Sequence, residues 1–112
     1  MSRQAVPIVA TTTTPGRPEA DAIARALVER RLAACVQIMD PIHSCYRWEG
    51  AVHEEPELLL VIKSVDSLLP EIEAALSELH PYEVPELIAV PAAGGSQAYL
   101  NWIRENVREP GR

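Results

Sequence analysis

Three histidines and two cysteines are the side chains of this 112-residue sequence best suited to hold a metal ion. His43 and Cys45 stand two apart among strand-forming residues, so both leave the same face of a strand. A two-residue turn at Glu49-Gly50 sets His53 opposite Tyr46 and facing away from that pair; a one-residue bulge would bring it round. The converged set His43, Cys45 and His53 suits zinc or copper. Without the bulge they are separate surface histidines and a half-buried thiol. His80 with Glu83 is a second metal candidate that needs a third ligand from elsewhere in the fold. The alternative is that His80 only closes the preceding helix, where the dipole favours it. Trp48, Lys63 and Tyr82 suit the wall of a small anion-accepting pocket, or else packing and a solvated edge. Cys35, between Ala34 and Val36, reads as an inert core thiol unless a base or positive group lies beside it. No Gly-x-Ser-x-Gly elbow is present, and Gly94-Gly95-Ser96 lacks the glycine spacing of a phosphate-binding fingerprint. With no nucleophile–base pair, an enzyme is not expected.

The elements that position these residues follow from periodicity. Ala5 to Thr12 is apolar and β-branched and reads as a buried strand, broken at Thr14-Pro15-Gly16. Pro18 suits a first helical turn, and Ala20, Ile23, Ala24, Leu27, Val28 and Leu32 recur at helical spacing. A second strand runs from Ala34 to Met39, is bent or bulged at Pro41, and continues from Ile42 to Trp48. After Glu49-Gly50 a return strand starts at Ala51 and resumes from Glu57 to Lys63. This hairpin is long for so small a chain, and its exposed edges invite pairing with another copy. Asp66 and Ser67 offer N-caps for a helix striped by Leu69, Ile72, Leu76 and Leu79. Pro81 and Pro85 then stiffen a connection carrying His80, Tyr82, Glu83 and Glu86. A strand from Leu87 to Val90 and a short helix capped by Ser96, with Leu100, Ile103 and Val107 on one face, complete the order. The pattern β-α-β-β-α-β plus a terminal helix is an α+β, ferredoxin-like sandwich of two split βαβ halves.

Composition sets the outer bounds. The length suits one domain, residues 1–112, with a two-layer core built without phenylalanine. A net charge of −6 speaks against nucleic acid, since the nearest basic cluster is only Arg30-Arg31. The longest apolar run, Leu58 to Ile62, is too short for a membrane span. Two cysteines without CxxC spacing and a polar Met1–Gln4 opening suggest a reduced, cytoplasmic setting without a targeting segment.

Three blocks carry a resemblance to a known family. Leu32-Ala33-Ala34-Cys35-Val36, Ser44-x-Tyr46-Arg47-Trp48-x-Gly50 and His80-Pro81-Tyr82-Glu83-Val84-Pro85-Glu86, followed by Tyr99-Leu100-x-Trp102, resemble the signatures of the CutA divalent-cation tolerance proteins, in their order. The resemblance implies a ferredoxin-like protomer, similar to PII signalling proteins, assembled as a homotrimer through the long hairpin and terminal segments. It also implies a non-enzymatic protein that binds a divalent metal, Cu(II) being expected. Cys35 and His80 match positions around a cleft between subunits, with Tyr82 and Glu83 close by. Thr12 stands where certain members have a further cysteine, and His43 and Cys45 stand where relatives have a hydroxyl and an aliphatic residue. A PII-like module binding a small anion at Trp48, Lys63 and Tyr82, or a trimeric interaction scaffold, are the alternative implications.

Overall fold

A computed structural model describes residues 4–111; Met1–Arg3, which include most of the polar opening, lie outside the described residues. The chain runs β1 (Pro7–Thr14), α1 (Arg17–Glu29), β2 (Cys35–Trp48), β3 (Ala51–Val65), a single 3-10 turn (Asp66–Leu68), α2 (Leu69–Leu79), β4 (Ile88–Pro91) and α3 (Gln97–Glu105). All strand pairs are antiparallel, in the order β2-β3-β1-β4. This is the ferredoxin-like topology expected from the element order.

One face of the sheet is dry. Ala10 and Thr12 of β1 and Leu58, Leu60, Ile62 and Ser64 of β3 are buried against Ala20, Ile23 and Leu27 of α1 and Ile72, Ala75 and Leu76 of α2. Period-2 alternation in the strands meets 3.6-residue stripes in the helices, and burial of that apolar surface drives the packing. Ser64 is tolerated there because its hydroxyl donates to the Leu32 carbonyl at 2.6 Å.

Element ends differ from the sequence expectation where the backbone finds a better partner. β1 continues two residues past Thr12, because Thr13 and Thr14 still pair with Leu59 and Leu58 of β3. α1 ends at Glu29 rather than near Leu32. Arg31 turns to positive φ (58°), and the Leu32 and Ala33 amides both donate to the Leu27 carbonyl, which drops Leu32 into the core after the helix has closed. Asp66 makes no side-chain cap of the turn that it opens; its Oδ1 accepts from the Val6 amide at 3.1 Å. Ser96 does cap α3, accepting from the Tyr99 amide at 3.2 Å.

β2 passes through Pro41 as one strand. Met39 pairs with Leu59 but Ile42 pairs with Glu57, so one extra residue is accommodated between them. Because side chains alternate, this bulge exchanges the faces of everything that follows it in β2. Beyond it, β2 and the first half of β3 form an arm that outreaches β1, and the chain extends 50 × 27 × 25 Å. Glu49 (φ 49°) and Gly50 (φ 79°) close the arm with the two positive φ values of a tight two-residue hairpin turn, where glycine carries no steric cost.

Candidate functional site

The connection from α2 to β4, residues 80–87, packs where β1 stops and the arm begins. His80 ends α2 in an extended conformation, as the following proline demands. The residue is 8% exposed and both ring nitrogens are engaged. Nε2 lies 2.6 Å from the Thr13 carbonyl oxygen, and Nδ1 accepts from the Tyr82 amide at 3.1 Å. A carbonyl only accepts and an amide only donates, so the two contacts select the neutral ring with its proton on Nε2. Tyr82 sits against this ring with centroids 4.8 Å apart.

From this anchored base Tyr82 reaches β3, and its hydroxyl donates to Glu57 Oε2 at 2.8 Å. Glu57 is buried, with 6% exposure. Burial of the phenol and the adjoining Glu57 carboxylate both raise the Tyr82 pKa well above its ordinary value. One step along the arm Tyr46 repeats the arrangement, donating its hydroxyl to Glu55; that hydrogen bond first, with desolvation, pushes its pKa up to about 12. The His53 ring stacks on Tyr46 with centroids 5.6 Å apart. Tyr46, Trp48, Pro81, Tyr82, Glu83 and Val84 line an open cavity of about 320 Å³. Tyr46 and Trp48 face it because of the bulge at Pro41, which sets them on the same side of the arm as Glu55 and Glu57.

The sequence-derived groupings are only partly assembled within the protomer. Cys35 pairs with Lys63 near the other end of the sheet, while His80 touches Thr13 and Tyr82 and Glu83 lies at the cavity beside Tyr82, so Cys35 does not join His80 and Glu83 within one chain. Trp48 and Tyr82 line one cavity, but Lys63 is elsewhere, bonded to Gln37 at 2.9 Å with its ammonium 5.9 Å from the Tyr99 ring centroid. His53 does pair with Tyr46, and His43 and Cys45 share the opposite face of the arm. The bulge falls before His43 rather than between it and His53, so it turns all three together and leaves their relative facing unchanged. His43 pairs instead with Glu54 at 3.0 Å, next to Cys45 in the ladder. Among the described residues, no three His, Cys, Asp or Glu side chains converge as a metal-binding group. Residue types alone did not single out Tyr46, Glu55 and Glu57. The repeated tyrosine–glutamate pairing depends on a strand register that the bulge decides.

The long-armed ferredoxin-like sandwich with this proline-stiffened connection defines a class of small α+β proteins, and comparison with known proteins places it further. Residues 8–106 match the family model of the CutA1 divalent ion tolerance protein, and the chain belongs to that family. It is 49% identical over 94 residues to the divalent-cation tolerance protein CutA of Thermus thermophilus, covering 84% of this chain and 91% of that one. It is 45% identical to human protein CutA over 83% of this chain, which corresponds to 52% of the human protein. The crystal structure of CutA1 from Oryza sativa superposes with a TM-score of 0.91 at 39% identity, over 96% of this chain and 99% of the other. The family is named for cation tolerance and not for a catalysed reaction.

The cytoplasmic expectation is corrected by the same comparisons. A relative from Arabidopsis thaliana, 43% identical over 96% of this chain and 59% of its own length, is named protein CutA, chloroplastic. A solved structure from Archaeoglobus fulgidus, with TM-score 0.87 and 33% identity over 91% of this chain and 99% of that one, is described as a periplasmic divalent cation tolerance protein. Cys35 and Cys45 are free thiols, Cys35 half-buried on the body of the sheet and Cys45 exposed on the arm. Their separation keeps them unpaired, so their state carries no address.

Proposed function

We propose that this chain is a non-enzymatic homotrimer that takes up a divalent metal, Cu(II) foremost, in the service of metal tolerance. Membership of the CutA1 divalent ion tolerance family is the observation that carries this reading. The trimer is supported by the sheet face turned away from α1 and α2. That face presents Val9, Leu59 and Val61 half-buried, with Met39, Ile88 and Val90 exposed by 54%, 64% and 57%. Thr11, Thr13, Gln37 and Lys63 share the face, but its exposed large apolar residues are more than a fully solvated antiparallel sheet would show, which suits it to a second copy. With three ligands not converging in one chain, the metal site is completed between subunits. Cys35, half-buried on that sheet face, and Glu83, exposed on the connection, are the expected ligands least committed within the protomer. His80 would join them only by giving up its contact to Thr13 or to Tyr82.

Native mass spectrometry with one equivalent of Cu(II) per chain tests this directly. The expected species is a trimer carrying three copper ions, with uptake reduced in Cys35→Ser and Glu83→Gln. A monomer, or copper bound in no fixed ratio, would overturn the reading.

A further inference from the structure

We infer that the cavity between the arm and the residue 80–87 connection is a binding site for a small organic cation, specifically a methylated ammonium group. Three aromatic rings line it, those of Tyr46, Trp48 and Tyr82. The faces of such rings carry negative quadrupole density, and a poorly hydrated cation set among them is attracted without needing a lone pair. Both tyrosine hydroxyls are turned out of service as donors to a ligand, because each donates to a glutamate behind it, Tyr46 to Glu55 and Tyr82 to Glu57. These bonds also push electron density into the rings and strengthen their hold on positive charge.

The electrostatics agree with the rings. Glu83 is the only ionised group among the lining residues, and Glu55 and Glu57 stand one hydrogen bond behind them. Arg47, the nearest basic residue along β2, alternates onto the other face of the arm. An anion would meet one carboxylate and no positive charge. Within one protomer a bare divalent metal would find in Glu83 a single free ligand where it needs several. An alkylated ammonium ion needs only ring faces and a diffuse negative field. The volume of about 320 Å³ falls at the lower end of the ~300–1,000 Å³ range of small-molecule pockets. The site is also preorganised, since Tyr82 is held at its amide by the buried His80 and at its hydroxyl by the buried Glu57.

The test is a proton NMR titration of tetramethylammonium into the full-length protein, in chelator and at constant ionic strength, so that its outcome is independent of any metal. Enclosure among rings shifts the methyl signal upfield and saturably, whereas general attraction to a chain of net charge −6 does not. Uncharged tert-butanol, of the same shape, should show no saturable shift. Trp48→Ala should weaken binding by about tenfold while Trp48→Phe retains most of it. Glu83→Gln, on an exposed side chain, should weaken it by about threefold. A peptide bearing trimethyllysine, run in parallel, distinguishes a protein-borne ammonium from a free one. Absence of a saturable shift, an equal response to tert-butanol, or unchanged binding in folded Trp48→Ala would each overturn the inference.

Discussion

His80 shows how a residue's type and its environment divide the work. Its place before a proline and after a helix is legible in sequence, and so is its suitability as a metal ligand. Its actual service is to satisfy a β1 carbonyl and the Tyr82 amide, two backbone groups that would otherwise cost about 1–3 kcal/mol each when buried unpaired. Beside it, the two tyrosine–glutamate pairs have a consequence in alkali. Below pH 10, the ordinary value, these phenols are protonated in both folded and unfolded chains. Above it the unfolded chain loses protons that the folded chain retains, so the stability contributed by the pairs is intact below pH 10 and declines as pH rises through about 12 for Tyr46 and beyond for Tyr82. Absorbance at 295 nm should therefore show Tyr46 and Tyr82 ionising late, and Glu55→Gln should return Tyr46 towards 10. Early, simultaneous ionisation of all three tyrosines would contradict the pairing.

At the scale of elements the arm is the unusual part. Its strands lack a helix layer over most of their length, so its stability rests on cross-strand pairs and on the turn. Glu49 holds φ at 49°, a conformation that a β-carbon disfavours and asparagine tolerates well. Replacing Glu49 by Asn, to give the Asn-Gly turn, should stabilise the arm by about 0.5–1 kcal/mol. Slower amide exchange in residues 45–54, with the core unchanged, would register it. The two hairpin strands and both core helices were legible from alternation and helical stripes. Where α1 ends was not, because the stop is made by Arg31 adopting positive φ with no glycine to announce it.

For the whole molecule the issue is what covers the second sheet face. Half-buried Val9, Leu59 and Val61 with exposed Ile88 and Val90 put apolar side chains on three strands of this face, with Thr11 set between Val61 and Ile88. Introducing Ile88→Glu sets a charge at its edge without touching the buried core. Light scattering should show the proposed trimer falling to monomers that keep their far-ultraviolet dichroism; an unchanged oligomer would mean that this face is not its interface.

Local pattern determined the order of elements, the hairpin turn at Glu49-Gly50 and the face alternation of His43, Cys45 and His53, because each depends on neighbours within a few residues. The family blocks are likewise written in the chain. Only the tertiary structure decided that Lys63 sits apart from Trp48 and Tyr82, that His80 spends both nitrogens on backbone, and that two tyrosines meet two glutamates around an acidic, ring-lined cavity. The physical reason is a single extra residue between Met39 and Ile42: it reverses every side chain beyond it, and its place in the ladder depends on pairing with a strand some twenty residues away.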